Sequence, residues 1–225
     1  MRVAVIVPAA GSGRRFGGKV PKQFLIWKGR PLLVHTLLKL EKSYLFEARI
    51  VAVAPKEIKR TKKILSKNGL SSWQVVAGGS TRAESVWNGL RAAGPGSEWV
   101  LVHDAARPMV SSALVRKVIS AARKTGAALA AVPAFATVKK VDPHTHEVLR
   151  TENRDTIFLA QTPQIAKRKF LEARYRSLGK KAFLLTDEAA FFDGTPIKVR
   201  VVTGEAHNIK ITTPEDLALF RSSKC

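Results

Sequence analysis

A basic, glycine-rich loop follows the first apolar segment of the chain. Residues 8–23 read PAAGSGRRFGGKVPKQ, and their cations are Arg14, Arg15, Lys19 and Lys22. Glycine lets the backbone pass close to a ligand, and backbone amides together with cationic side chains attract phosphate. We therefore predict that this segment cradles a nucleoside triphosphate, in preference to forming only a basic surface loop.

Two familiar phosphate-binding loops fit this segment less well. The spacing GxxxxGK of a P-loop is present, but Val20 stands where the Mg²⁺-binding Ser or Thr belongs, and Pro21 disfavours a helix at that point. The dinucleotide pattern GxGxxG is interrupted by one extra residue, and the second predicted strand ends in Ala54 and Pro55 instead of an acid. The pattern therefore favours a triphosphate loop of another kind.

A carboxylate follows a strongly apolar segment. The run EWVLVH (98–103) is followed by Asp104 and then by AARP. Ligands of open α/β sheets bind at the carboxyl ends of the parallel strands, and a carboxylate there can hold Mg²⁺. An aspartate after a strand more often caps a loop, so the metal assignment depends on the phosphate loop at the same edge. We expect His103 to be structural.

Composition restricts the classes of function. The 225 residues contain 39 Lys+Arg and 17 Asp+Glu, a formal net charge of +22 that attracts phosphate on nucleotides, metabolites or nucleic acids. The single cysteine, Cys225, makes an intramolecular disulfide impossible and redox chemistry a poor candidate. Residues 1–8 are too short for a membrane span and lack signal-peptide features, so we predict a cytoplasmic protein with no membrane partner.

Strands and helices alternate along the chain and must position these groups. Apolar β-branched runs predict strands at 3–7, 49–54, 73–77, 98–103, 127–132 and 197–202. Helical periodicity and capping residues predict helices at 31–41 and 111–124, after Thr81 and after Thr213. The alternation predicts one α/β domain over residues 1–225, with a Rossmann-like, mostly parallel sheet flanked by helices.

The pattern changes between about 134 and 160. The segments TVKKVD and HEVLRT flank the turn-like PHT, which predicts a protruding β-arm used in dimerisation. His144 and His146 are interpreted as turn residues. Asp187 and Glu188 stand at a predicted helix start, where carboxylates favour the helix dipole, and are interpreted as caps.

Several motifs together resemble a known family. The segments PAAGSGRR, PKQF, GGSTRAES, VHDAARP, QTPQ, TDEA and NIKITTPEDL, from residue 3 to about 220, are similar to 2-C-methyl-D-erythritol 4-phosphate cytidylyltransferases. The resemblance implies a dimeric Rossmann-like enzyme of the non-mevalonate isoprenoid pathway. Its substrates are CTP and a small polyol phosphate, its products 4-diphosphocytidyl-2-C-methyl-D-erythritol and pyrophosphate, and its cofactor a divalent cation, usually Mg²⁺.

The resemblance also implies roles at matching positions. The catalytic cations would be Arg15, Lys22, Arg154 and Lys210. The nucleotide would contact Ala9, Ala10, Gly11, Gly13, Gly79, Arg82, Ser85 and Asp104, with Asp104 also beside the metal. The acceptor would contact Thr137, Arg154, Thr162, Thr186 and Lys210, and the arm would reach into the partner subunit.

Two other functions stay open at this point. Many family members carry an aspartate just before the threonine of the arm, whereas this chain has Ala136 before Thr137, which affects recognition of the acceptor diol. Ribitol 5-phosphate cytidylyltransferase, which shares the loop and the KITTP pattern, is the nearest alternative. A basic nucleic-acid-binding protein is less favoured, because the cations are scattered and the chain lacks a recognisable nucleic-acid-binding motif.

Overall fold

The computed structural model describes residues 1–11 and 20–222, with the side chain of residue 222 left out. Within these ranges the strands are β1 Val3–Ala9, β2 Ile26–Trp27, β3 Arg30–Pro31, β4 Ala48–Val53, β5 Gln74–Ala77, β6 Trp99–Val102, β7 Ala127–Pro133, β8 Lys139–Val141, β9 Val148–Thr151, β10 Phe158–Lys167 and β11 Val199–Thr203. The helices are α1 Leu32–Glu41, α2 Ile58–Lys67, α3 Arg82–Ala92, α4 Ser112–Thr125, α5 Arg168–Leu178 and α6 Pro214–Ser222.

The central sheet of the described residues has seven strands in the order β11-β7-β10-β6-β1-β4-β5. β1 lies between β4 and β6 and is parallel to both. At the two edges of the sheet, β5 pairs in parallel with β4, and β11 pairs in parallel with β7. β10 alone among these strands runs antiparallel to its neighbours, β6 and β7. The prediction of a mostly parallel α/β sheet is confirmed.

β10 is the strand of the central sheet that sequence periodicity missed. Its centre carries Gln161, Thr162, Pro163 and Gln164, which interrupt the apolar pattern, and its pairing with β7 shifts register between Ala160 and Gln164. Residues 158–160 pair with β7 in the central sheet. The arm predicted for about 134–160 therefore extends too far at its C-terminal end.

Side chains of β1 alternate between two apolar layers. Val3, Val5 and Val7 pack with residues of α1 and α4, whereas Ile6 packs on the opposite face with residues of α3 and α5. Burial on both faces explains why β1 reads as a continuous apolar run. No helix of the described residues combines the length and apolar character that crossing a bilayer requires.

The predicted helix starts are confirmed at atomic level. Thr81 Oγ1 accepts a hydrogen bond from Glu84 N–H at 3.1 Å, and Ser111 Oγ accepts one from Leu114 N–H at 3.0 Å. At α6, Thr213 Oγ1 accepts from Asp216 N–H at 3.3 Å. Each side chain satisfies a backbone donor that the first helical turn leaves unpaired.

The arm, defined here as residues 134–157, protrudes as the antiparallel hairpin β8–β9. Its turn is closed by Asp142 Oδ1, which accepts from the backbone N–H groups of His144 and Thr145. Val148 and Leu149 are 60% and 58% exposed. The interpretation of His144 as a turn residue is confirmed.

Candidate active site

A cavity of about 630 Å³ opens at the carboxyl edge of the parallel strands. Its walls come from the end of β1, the loop between β5 and α3, the end of β6 and the segment before α6. Of the residues predicted to contact the nucleotide, those that line it are Ala9, Ala10, Gly11, Gly79, Arg82, Ser85 and Asp104, together with the predicted catalytic lysines Lys22 and Lys210. The predicted residues Gly13 and Arg15 lie outside the described residues.

The loop between β5 and α3 packs tightly against the end of β1. A Cβ on Gly78 would lie 2.5 Å from Ala10 Cβ and 2.9 Å from Ser85 Oγ. Ser85 Oγ accepts from Gly79 N–H at 3.1 Å and donates to Thr81 O at 2.9 Å. Glycine at position 78 is therefore required by the close approach of two segments that line the larger cavity.

Lys22 connects the first loop with the segment that precedes α6. Its Nζ donates to Ile211 O at 2.9 Å, and neighbouring Gln23 Nε2 donates to Ala9 O at 2.8 Å. These bonds fix residues 22 and 23 beside the end of β1, although they are more than ten positions away in sequence. A lysine ammonium is thereby held on the cavity wall.

Four charged side chains, here called the charged cluster, form a continuous series of ion pairs beside the cavity: Arg82, Asp104, Glu188 and Lys210. Asp104 Oδ1 accepts from Arg82 Nε at 2.9 Å, and its Oδ2 lies 2.7 Å from Lys210 Nζ. The two terminal nitrogens of Arg82 donate to the two oxygens of Glu188 at 2.8 and 2.9 Å. Charges of opposite sign therefore alternate along the cluster, in the order Glu188, Arg82, Asp104 and Lys210.

The charges of the cluster stabilise one another. Burial by itself would raise the pKa of Asp104, but the positive charges of Arg82 and Lys210 outweigh it and hold that pKa well below its ordinary value. Burial would lower the pKa of Arg82, and Glu188 and Asp104 together raise it above its ordinary value instead. Asp104 is consequently an anion and Arg82 a cation throughout the neutral pH range.

The backbone of Asp104 is fixed by buried neighbours. Its N–H donates to Thr162 Oγ1 at 3.0 Å, and the Thr162 hydroxyl lies 3.1 Å from His103 Nδ1. His103 Nε2 lies 3.0 Å from Arg107 O, and burial lowers the pKa of His103 to about 4. The imidazole is therefore neutral at pH 7 and structural, as predicted.

A second cavity of about 210 Å³ adjoins the first. Arg82, Asp104 and Lys210 line both cavities and form the wall between them. The predicted acceptor residues Thr162 and Thr186 also line the smaller cavity. Two of the predicted acceptor threonines are thus brought together with Lys210 at the boundary of the larger cavity.

Comparisons with known proteins agree with this geometry. Residues 3–222 match the family model of 2-C-methyl-D-erythritol 4-phosphate cytidylyltransferase. The chain belongs to this family. The chain is 40% identical to the cytidylyltransferase of that name from Syntrophus aciditrophicus over 97% of its own length and 94% of the relative. It is 38% identical to the one from Geobacter metallireducens over 97% of this chain and 96% of the relative.

Solved structures extend the comparison to the fold. The 4-diphosphocytidyl-2C-methyl-D-erythritol synthase of Anaerococcus prevotii superimposes with a TM-score of 0.85 at 34% identity, covering 98% of this chain and 97% of that one. The cytidylyltransferase of Thermus thermophilus does so with a TM-score of 0.80 at 33% identity, covering 99% and 98%. The family is one of nucleotidyltransferases, which confirms the enzyme class inferred from the sequence.

Two predicted acceptor residues line neither cavity of their own chain. Thr137 and Arg154 are exposed and belong to the arm, where an Arg154 terminal nitrogen donates to Phe135 O at 3.0 Å. Within a single chain the structure separates them from the charged cluster.

Sequence reasoning missed several polar residues of this region. Arg107, Gln161 and Gln164 line the smaller cavity without having been singled out. Asp187 caps the following turn, as predicted, because its Oδ1 accepts from Ala190 N–H at 3.0 Å. The capping role expected for Glu188 is wrong: its carboxylate is 3% exposed and binds Arg82. Its place beside Asp187 in TDEA carried no signal for an arginine 106 positions away.

Proposed function

We propose that the chain transfers the cytidylyl group of CTP to 2-C-methyl-D-erythritol 4-phosphate, giving 4-diphosphocytidyl-2-C-methyl-D-erythritol and pyrophosphate. The observation that carries this proposal is the wall shared by the two cavities. CTP would occupy the larger one, which lies beside the glycine-rich edge, and the acceptor the smaller one. Their phosphates would then meet at Arg82, Asp104 and Lys210.

Direct attack of the acceptor phosphate on the α-phosphorus is the mechanism that these residues support. A phosphate oxygen is already anionic at neutral pH, so the nucleophile requires no general base. The obstacle is repulsion between two anions, which cations fixed before the reaction reduce most effectively. Lys22 and Lys210 lie on the nucleotide wall, and Arg15 is proposed to join them from the glycine-rich loop.

Mg²⁺ is part of the proposal, and Asp104 is the residue that would hold it. Among the described side chains, no group of three or more His, Cys, Asp or Glu is arranged for a metal. Mg²⁺ nevertheless binds through one or two carboxylates when substrate phosphates and water complete its shell. Ionised Asp104 on the cavity wall already accepts from Arg82 and Lys210, and it would bind the cation through a second lone pair of one oxygen. The bound cation would neutralise charge on the triphosphate.

A homodimer is proposed because the arm has an unpartnered apolar surface. An isolated two-stranded hairpin is marginally stable in water, and this one exposes Val141, Val148 and Leu149. A second copy of the chain would cover these side chains. It would also receive Thr137 and Arg154 at its smaller cavity, where the acceptor phosphate needs a further cation.

Mixing two inactive variants tests whether the arm completes the partner's site. Lys210→Ala and Arg154→Ala should each abolish most activity, since each removes one cation of the proposed acceptor site. Coexpressed in equal amounts, they should recover about a quarter of the wild-type activity, because only one site in four then combines both wild-type residues. Failure to recover activity in a confirmed mixed dimer would contradict an arm that acts between subunits.

The acceptor is tested by direct turnover. Purified protein with CTP and Mg²⁺ should release pyrophosphate with 2-C-methyl-D-erythritol 4-phosphate much faster than with ribitol 5-phosphate, and mass spectrometry should identify the diphosphocytidyl product. Ala136 makes this comparison necessary, because the arm of this chain lacks the aspartate that many family members carry just before the threonine. Turnover of ribitol 5-phosphate alone would replace the proposed substrate.

The remaining predictions belong to the same proposal. A cytoplasmic location is supported by the proposed use of CTP, a cytoplasmic nucleotide. Nucleic acid is not proposed as a partner, because Lys22 and Lys210 line cavities of small-molecule size. Salt-sensitive binding to DNA or RNA without CTP turnover would favour the alternative class.

A further inference from the structure

Arg82 has little freedom to bind a substrate with its guanidinium. Both of its terminal nitrogens donate to Glu188, and its Nε donates to Asp104. One terminal nitrogen also lies 3.5 Å from Thr186 O. These contacts orient the guanidinium plane between two carboxylates, although its side chain borders both cavities.

Glu188 is set back from the chemistry. It is 3% exposed and lines neither cavity. Its backbone N–H donates to Gln164 Oε1 at 3.0 Å, and Gln164 Nε2 donates to Asp187 Oδ2 at 3.0 Å. The side chain of Gln164, on β10, thus fixes the backbone of Glu188, and from that position the Glu188 carboxylate reaches Arg82.

Resting on the proposed cytidylyl transfer, we propose that Glu188 is a positioning residue for the reaction. It binds both terminal nitrogens of Arg82, so that Arg82 meets Asp104 through Nε alone and leaves Asp104 Oδ2 to Lys210 at 2.7 Å, with Arg107 Nε more distant at 3.9 Å. Glu188 thereby keeps Lys210 on the wall where the two phosphates would meet.

Loss of Glu188 would redirect Arg82 towards Asp104. A guanidinium pairs most favourably with a carboxylate through two parallel hydrogen bonds, and Asp104 would be the carboxylate still adjacent to it. A bidentate pair would use the Asp104 oxygen that now lies 2.7 Å from Lys210 Nζ. Lys210 would lose its anchor, and the cation proposed to position the acceptor phosphate would be displaced.

The test is Glu188→Gln in the 225-residue chain, with kcat and the KM values of CTP and the acceptor measured in the presence of Mg²⁺. We expect kcat per folded site to fall on the order of 100-fold, the scale of an angstrom-size misplacement. The Kd of CTP, measured by calorimetry without acceptor, should stay within about twofold, because Arg82 is not proposed to bind CTP through its terminal nitrogens. A purely structural role would lower the melting temperature and leave kcat per folded site unchanged.

Three further variants keep the inference falsifiable. Glu188→Asp retains the buried charge but shortens the side chain, so it should fold and still lose about tenfold in kcat. In an Arg82→Met background, Glu188→Gln should change kcat by less than about twofold, since the residue it acts through is gone. The control Glu172→Gln breaks the Arg168–Glu172 ion pair of α5, whose Nε–Oε1 distance is 2.7 Å, and should leave kcat unchanged.

The outcomes separate the inference from the proposed function. Wild-type kcat in both Glu188→Gln and Glu188→Asp would overturn the positioning role, as would a full-size effect of Glu188→Gln in the Arg82→Met background. A rise in the CTP Kd equal to the fall in kcat would assign Arg82 to nucleotide binding and also overturn it. Absence of turnover by the wild-type protein itself would instead contradict the cytidylyl transfer on which the inference rests.

Discussion

The charged cluster and the arm contrast in how their side chains are satisfied. In the cluster, Asp104 and Glu188 are largely buried, and each is paired with cations of the same chain. In the arm, Val148, Leu149 and Phe135 are 60%, 58% and 74% exposed, and Arg154 faces neither cavity of its own chain. The charges of the cluster are paired within one chain, whereas the arm exposes apolar side chains that a second chain could cover.

This contrast indicates which of the two proposed binding sites, that of CTP or that of the acceptor, requires a second subunit. The proposed nucleotide cavity is lined by residues that one chain brings together, so CTP binding should be a property of each subunit. The proposed acceptor site has Lys210 and two threonines in one chain, but its arginine and third threonine lie on the arm. Acceptor handling should therefore be the step that requires two subunits.

The largest effect is expected from removing Lys210, the proposed catalytic cation of the cluster. Lys210→Ala should lower kcat/KM on the order of 1,000-fold, because it removes a fixed positive charge from the place where anionic charge accumulates. Steady-state kinetics measure the loss, and circular dichroism checks the fold. Lys59→Ala, an exposed lysine of α2, is the matched control and should behave like the wild type. Equal activity of Lys210→Ala and Lys59→Ala would show that the cluster does not take part in the reaction.

A second, smaller effect is the pH dependence of stability that the burial of His103, the neighbour of Asp104, should cause. Because burial lowers the pKa of His103 from 6.5 to about 4, protons bind the unfolded imidazole more readily than the folded one. The stability from this group is fully present above pH 6.5 and is lost as pH falls towards 4, by roughly 3 kcal/mol.

Urea unfolding of the wild type and of His103→Gln measures this contribution. The difference between their unfolding free energies should shrink as pH falls from 7 towards 4, since the glutamine does not titrate. Comparing two proteins at equal concentration cancels the titration of groups that both retain. A difference that stayed constant over this range would show that His103 is not held neutral by the fold.

The smallest effect on the folded chain is expected in the arm. Leu149→Lys should change the unfolding free energy of a subunit by less than about 0.5 kcal/mol, because its side chain is already 58% exposed. It should nevertheless weaken the proposed dimer, seen by analytical ultracentrifugation, and raise the KM of the acceptor more than that of CTP.

Leu45→Lys is the matched control for Leu149→Lys, since Leu45 is 86% exposed and lies outside the arm. It should leave association unchanged. Dissociation caused by Leu45→Lys and not by Leu149→Lys would move the interface away from the arm.

Sequence patterns were sufficient to predict the parallel part of the sheet and many of the residues that line the larger cavity. The runs at 3–7, 49–54 and 98–103 became β1, β4 and β6, because strands buried on both faces need uninterrupted apolar residues. Local capping signals at Thr81 and Ser111 fixed two helix starts. Asp104 could be placed at the correct edge because a parallel sheet brings strand ends together whatever their distance in sequence.

The pairing of the charged groups, by contrast, could be seen only in the folded chain. β10 was missed because Gln161, Thr162 and Gln164, which serve the smaller cavity, interrupt its apolar pattern. Glu188 was misread as a cap because its partner Arg82 lies 106 positions away, and local sequence carries no information about that distance. Burial and long-range pairing set the roles of these polar residues, and both properties arise only when the whole sheet and its helices are assembled.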